Sequence, residues 1–390
     1  MSRLNINNLT NENEDGAPKI SGISTFSSTH YFVPPSGSTA ERPSHADPGM
    51  MRFNTDSGHL EYYNGVEWTS VIANNYQVGI STNPAGTSGG LGHRGVTAGG
   101  YVAPLRSAVV DYVTISSLGN AISFGSLNVA RSGSASCASA TRGLFGGGFS
   151  GVSPNQSNTI DYITIASTGT VSTFGILSTY SETRGSCSSE TRGLFGGGYL
   201  SATPSNSIEY VTISSTGNTV DFGDLTAPGA GIHGCSSSTR GIFAGGYSSP
   251  STPSSNRTNA INFITISTTG NALDFGDLST ARGGGGSSSN STRGLFVGGQ
   301  SIVNIIEFII ISTTGNAQDF GDLNYSVQET SGGMASPTRA LFAGGHGGSG
   351  TQLDNIDYVT ILSTGNAQDF GDLTVGRRGP SSCSNGHGGL

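Results

Sequence analysis

The chain has little charge. Only 11% of its 390 residues are Asp, Glu, Lys or Arg, and Lys19 is the only lysine. With a formal net charge of -8, it lacks the clustered Lys and Arg that phosphate recognition needs, so no nucleic-acid partner is expected. Long apolar runs are missing too. No stretch approaches the roughly 18 residues of a membrane span, so no membrane insertion is expected. The longest apolar cluster, Ile302 to Ile311, is interrupted and strand-like. The N-terminal MSRLNINNLTNENEDG has no apolar core, so no signal peptide is expected. The four cysteines come without a CxxC or a nearby histidine, which argues against a metal site. There is no G-x-S-x-G elbow. The glycine runs, such as Gly283–Gly286, lack the Lys of a phosphate loop. His59, His233 and His346 share no repeat position. The chain is therefore expected to have no catalytic residues, no metal and no cofactor.

What is present is glycine, 62 residues of it, in register with Val, Ile, Phe and Tyr. The register comes from a repeat of about 50 residues, and such a period marks a repeat architecture. RGLFGGG at Arg142 and Arg192 has relatives beginning at Arg94, Arg240, Arg293 and Arg339. A second stretch, I-D-Y-I-T-I-x-S-T-G-N-x-x-D-F-G-D-L, follows each of the six. Its first apolar residue and its Leu are always 17 apart, as in Ile208 to Leu225. That Leu lies 15 residues before the next Arg four times, and 16 once, between Leu323 and Arg339.

Periodic glycine between β-branched and aromatic runs predicts short strands and tight turns. Within one repeat four strands can be marked. The first is the Ser-Cys-Ser-Ser stretch at 186–189, and the second is Arg192–Gly196. The third is Ile208–Ser214, with Ile208, Tyr210 and the other even positions facing one way. The fourth is Thr219–Leu225, reached through a turn where Gly217 and Asn218 favour positive φ. Cys137, Cys187 and Cys235 each precede a repeat Arg by five, and Cys383 falls in the matching strand of the last repeat. Equivalent positions are related by the repeat's rotation, so these read as small buried side chains rather than disulfide partners. The first repeat begins at its second strand, and Ser381–Asn385 is a first strand with no second strand after it. The expected fold is therefore all-β: a six-bladed β-propeller closed by the C-terminal strand.

The Gly pairs 99–100, 147–148, 197–198, 245–246, 298–299 and 344–345 resemble the Gly-Gly that ends the second strand of kelch repeats. Arg131, Arg184, Arg282 and Arg377 also match the arginine before that family's first strand. The resemblance implies a kelch-like propeller, although Tyr or Phe and then Phe (Tyr162, Phe174) replace the family's outer-strand Tyr and Trp. Upstream, MRFNTDSGHLEYYNGVEW resembles segments of tail-fibre and other virion structural proteins of bacteriophages, especially cyanophages. The expected organisation is an extended attachment arm at 1–49, a three-stranded meander at 50–71 (Met50–Phe53, Leu60–Tyr63, Trp68–Val71), a linker at 72–91 and the propeller at 92–390. The phage resemblance implies a virion location at the tail fibre or tail tip. It also implies other virion proteins as partners of the arm and, by analogy with fibres, a trimeric homo-oligomer.

Length varies only between the Gly pair and the third strand, in Tyr101–Val109, Phe149–Thr159, Tyr199–Ser207, Tyr247–Ala260, Gln300–Ile305 and His346–Asn355. Insertions confined to one connection decorate one face, often the binding face. Tyr101, Phe149, Tyr199, Tyr247, Gln300 and His346 are the candidate binding residues, suited to sugar rings by aromatic stacking and neutral hydrogen bonds. Arg142, Arg192, Arg240, Arg293 and Arg339 read as structural, each paired with an Asp. The DFGD aspartates Asp224, Asp277, Asp322 and Asp372 read as turn or Arg-pairing residues rather than calcium ligands. The favoured role is an adhesin for a host-surface glycan or protein. The alternative is a capsid-decorating or baseplate component, and a depolymerase comes third, requiring an acidic cluster in the channel or on one rim.

Overall fold

The computed structural model describes residues 34–56, 58–70, 93–153, 155–169, 171–200, 203–248, 256–348 and 350–390. They fall into two compact units, Met1–Val78 and Gly79–Leu390. Both are built from β-strands. The described residues hold no α-helix, only a 3-10 turn at Thr39–Glu41. No helix among them is long and apolar enough to cross a membrane.

In the first unit the expected meander is present as Met51–Asn54, His59–Tyr63 and Trp68–Ser70. Part of the segment expected as an extended arm joins it. Ser36–Gly37 pairs in parallel with Phe53 and Asn54, making the sheet four-stranded. The reason is a buried charge. Glu61 is fully buried and accepts from Arg42 at 2.6 Å and from Asn54 Nδ2 at 3.1 Å. A buried carboxylate needs such partners, so the segment carrying Arg42 must lie against the sheet. Residues 1–33 of the arm, Val71 at the end of the meander and the linker at 72–91 lie outside the described residues.

The second unit contains six antiparallel sheets built around four strands each, of the kind that make propeller blades. Numbered along the chain, their first strands are Ser381–Ser384, Ala135–Ala138, Gly185–Ser188, His233–Ser236, Gly286–Ser289 and Ser331–Ala335. Sheet 2 is representative, in the spatial order Ala135–Ala138, Arg142–Gly146, Thr159–Thr164, Ser172–Ile176. Sheet 3 gains two short strands, Ser181–Glu182 and Tyr199–Leu200. In sheet 1 the strand Ser381–Ser384 pairs with Arg94–Ala98, so residues from the two ends of the repeat region share a ladder.

Every third strand has a register shift opposite the fourth, at Ile160/Asp161 in sheet 2 and Ile208/Glu209 in sheet 3. One extra residue there turns the side chains of the bulged strand. As a result Phe174 and Leu177, three apart, are both buried. The third strand keeps the alternation expected of it. Ile208 and Tyr210 pack with sheet 4, while Val211 and Ile213 pack with sheet 2. Each apolar cluster is thus shared by two consecutive sheets, and one joins Val113 and Ile115 of sheet 1 to Tyr358 and Phe370 of sheet 6.

The first strands of neighbouring sheets touch without sharing a ladder. Serine hydroxyls join them instead. Ser188 N–H donates to Ser236 Oγ, which donates to the Ser188 carbonyl, and Ser236 and Ser289 repeat the pattern. Serine here satisfies buried backbone groups that would otherwise have no partner, rather than decorating the surface. The alternate side chains point into the clusters. Cys235 Sγ lies 2.7 Å from where a Cβ would stand on Gly294, and Cys383 Sγ is at the same distance from Gly143. The second-strand glycine of R-G-L-F is therefore the slot for the neighbouring sheet's cysteine. Burial pushes the thiols of Cys235 and Cys383 up to about 12, which leaves them inert. Gly294→Ala should cost about 1–3 kcal/mol through overpacking. Adding Cys235→Ala should restore most of it, and urea unfolding of both variants measures the coupling.

The repeat arginines and the outer turns also act between sheets. Arg142 stacks 5.0 Å from the Tyr162 ring, which meets Phe174 edge-on at 5.9 Å. Its guanidinium donates to the carbonyls of Ile213 and Ser214 in sheet 3. Arg192, Arg240, Arg293 and Arg339 likewise reach Ile266, Ile311, Ile361 and Ile115 in the following sheet. The expected Asp partner is corrected, since among the described residues no ion pair joins these arginines to an aspartate. A guanidinium lying over a ring can still aim its edge at carbonyls, and here it does both.

The outer turns dock in the opposite direction. Gly217 N–H donates to the Phe174 carbonyl, and Asn218 Oδ1 accepts from Ile176 N–H. Neither Gly217 nor Asn218 takes the positive φ expected of it. At the fourth strand, the Asp224, Asp277, Asp322 and Asp372 amides are capped by Asn271, Asn316, Asn366 and Asn120 of neighbouring sheets. Their carboxylates sit at the outer edge, exposed or half-buried.

Candidate functional site

The segments entering the six first strands meet at one end of the second unit. Gly133, Thr183, Gly231, Gly284, Glu329 and Gly379 all have φ between 52° and 67° there. Thr183 N–H donates to Gly133 O, Gly231 to Thr183, Gly284 to Gly231, Glu329 to Gly284 and Gly379 to Glu329. Gly133 N–H then donates to Gly379 O at 2.8 Å, so the bonds form a ring. Left-handed backbone costs a non-glycine residue about 1–2 kcal/mol. Four of the positions are glycine, whereas Thr183 and Glu329 bear that cost.

Around this ring lies an open cavity of about 330 Å³. Its wall includes Tyr101, Phe149, Tyr247 and Gln300, each the first residue after a Gly pair, together with Arg106, Glu182, Glu329 and Arg378. Backbone bonds fix the rings in place: Tyr101 exchanges bonds with Arg378, Phe149 with Ser132 and Tyr247 with Ala230. Arg106 lies over Tyr101 at 4.5 Å and over Phe149 at 4.7 Å, and Arg378 lies over Tyr101 at 4.7 Å. Arg378 also approaches Glu329 at 3.6 Å. Burial raises the Glu182 carboxyl above its ordinary range, opposed by a hydrogen bond from Gln156 and by the charge of Arg106. The Tyr247 phenol, also buried, is pushed up to about 12.

Four of the six candidate binding residues therefore line one cavity. Of the others, Tyr199 packs behind Tyr247 with ring centroids 5.5 Å apart, and His346 pairs with Gln328. Sequence reasoning missed four of the five charged residues of the wall, all but Arg184. Arg106 and the segments holding Glu182, Glu329 and Arg378 vary from repeat to repeat, so no period flags them. The available signal was the glycine four before the cysteine position, as in Gly133, Gly231 and Gly379, which is replaced in sheets 3 and 6.

Below the cavity, carboxylates on the third strands meet the arginines before the first strands. Arg131–Asp161 and Arg377–Asp111 are both 2.9 Å and fully buried, and Arg184–Glu209 is 2.8 Å. In sheet 4 an asparagine, Asn262, stands in place of the acid and pairs with Thr226. At the far ends of the first strands, His387 Nε2–H donates to the Ala138 carbonyl while its Nδ1 accepts from Gly389 N–H. Gly388 N–H reaches Ser289 O and Asn385 holds Arg94, so residues 385–388 bridge several sheets.

Compared with models of known protein families and with curated protein sequences, the chain has no match.

Burial depresses the imidazoles of His233 and His387 to about 4. The unfolded chain, with pKa near 6.5, then binds protons that the folded chain refuses. Stability is complete above about pH 6.5 and falls as the pH drops towards 4. His233, only 1% exposed, contributes on the order of 3 kcal/mol to that fall. Thermal unfolding from pH 7 to 4 should show the loss, and His233→Gln should reduce it, leaving the share of His387.

Proposed function

We propose that the second unit is a six-bladed, kelch-like β-propeller closed by its C-terminal strand, and that it recognises a host-surface glycan or protein without chemistry. Closure is supported by the pairing of Ser381–Ser384 with Arg94–Ala98 and by the ring of hydrogen bonds through Gly133 and Gly379. The recognition reading rests on one observation above all: the connections that vary in length bring Tyr101, Phe149, Tyr247 and Gln300 to one cavity. A rigid floor under adaptable loops is how many scaffolds carry binding sites. The phage-like stretch Met51–Trp68 supports reading the protein as a virion component, a tail-fibre or tail-tip adhesin with its N-terminal segment bound to other virion proteins. Glu182 and Glu329 give the rim two carboxylates, but Gln156 and Arg378 already engage them, which favours holding a ligand over cleaving it.

Replacing Phe149–Thr159 and Tyr247–Ala260 with the short connection Gln300–Ile305 should abolish adsorption of phage to host cells. Unchanged adsorption would overturn the adhesin reading. Immunogold against residues 92–390 should label the distal tail, and label over the head would favour capsid decoration. Host polysaccharide incubated with the protein should release no reducing ends. Release that disappears in Glu182→Gln would make the protein an enzyme.

A further inference from the structure

The cavity wall also specifies a class of ligand, an inference that rests on the recognition reading above. We propose that the cavity is a saccharide subsite for one uncharged pyranose unit. Size is the first argument. At about 330 Å³ the space stands at the small end of ligand pockets, which run about 300–1,000 Å³. It holds one sugar ring with its hydroxyls, not an extended chain.

Charge is the second argument. The wall carries three guanidiniums and two carboxylates, and each guanidinium has a carboxylate to offset it. Arg378 sits beside Glu329 at 3.6 Å, and the positive charge of Arg106 favours the ionised form of Glu182. Arg184, also in the wall, is consumed by Glu209 at 2.8 Å. A ligand with net charge of either sign would leave one of these groups unbalanced, whereas hydroxyls both donate and accept and so match a wall offering both.

Readiness is the third argument. Arg106 Nε and Gln300 Oε1, one donor and one acceptor, have no hydrogen-bond partner among the described residues. A ligand that meets these two atoms displaces no hydrogen bond of theirs, and a buried polar group without a partner calls for an explanation. Phe149 and Tyr247 supply apolar ring surface held by backbone bonds, so little ordering remains to be done on binding. Glu329 is the third wall group with a cost attached, keeping left-handed backbone (φ 52°) where four sheets use glycine. Strain of that kind persists at functional sites.

The test is saturation-transfer NMR on the full chain with methyl glycosides of glucose, galactose, mannose and N-acetylglucosamine, and with glucuronic and sialic acids as charged probes. At least one uncharged glycoside should show transfer at millimolar concentration. Gln300→Ala and Phe149→Ala should each weaken it at least tenfold, with thermal unfolding confirming that both variants fold. Transfer confined to the acidic sugars, or unchanged in both variants, would overturn the proposal. If no sugar binds while wild type and Phe149→Ala adsorb equally to host cells, the subsite is wrong and the adhesin reading survives. If neither sugar nor cell is bound, both fail.

Discussion

Neighbouring first strands in this protein lie against each other without sharing a backbone ladder, and most of the repeat sequence answers that constraint. Buried amides and carbonyls must find partners, so serine hydroxyls relay between sheets, as Ser236 does between Ser188 and Ser289. Farther out, an arginine lies on its own sheet's aromatic ring and donates to the next sheet's carbonyls. At the rim, the turn glycine donates to the phenylalanine carbonyl of the sheet before it. These three layers of side-chain and turn contacts do between sheets what a hydrogen-bond ladder does within one.

The same constraint governs packing. Six apolar clusters, each shared by two sheets, mean that no sheet buries its faces alone. Volume is matched across each junction. Cys235 faces Gly294, and Met334 faces Gly95. Sheet 6 has Ala340 instead of that glycine, and the strand packed on it carries Ser288 in place of cysteine. Charge is matched as well: where sheet 4 lacks the arginine, its third strand carries Asn262 rather than an acid. Sheet 6 keeps Asp357, held by Asn324, and burial raises that carboxyl above its ordinary range.

A framework specified this fully leaves its freedom at one end. The ring through Gly133 and Gly379 uses up the backbone groups at the cavity floor, so what varies above it is side chain and loop length. The left-handed backbone at Thr183 and Glu329 shows the framework yielding where the wall of the cavity is made.

The sequence by itself determined the number of repeats, the order of strands within each and the positions of the glycine turns, because these are local and periodic. Even the one spacing of 16 is local: the first strand of sheet 6 has an irregular register between Ser331 and Met334, with Gly333 at φ 91°. The first unit shows where locality ends, since Arg42 folds back onto Glu61 only because the sheet buries that carboxylate. In the same way, only the tertiary structure decided that the repeat arginines meet carbonyls and rings rather than aspartates, because their partners lie in the next sheet. It also decided which residues face the cavity. Tyr101 and Arg378 come together only because Ser381–Ser384 pairs with Arg94–Ala98, and no spacing within a repeat encodes a contact between its two ends.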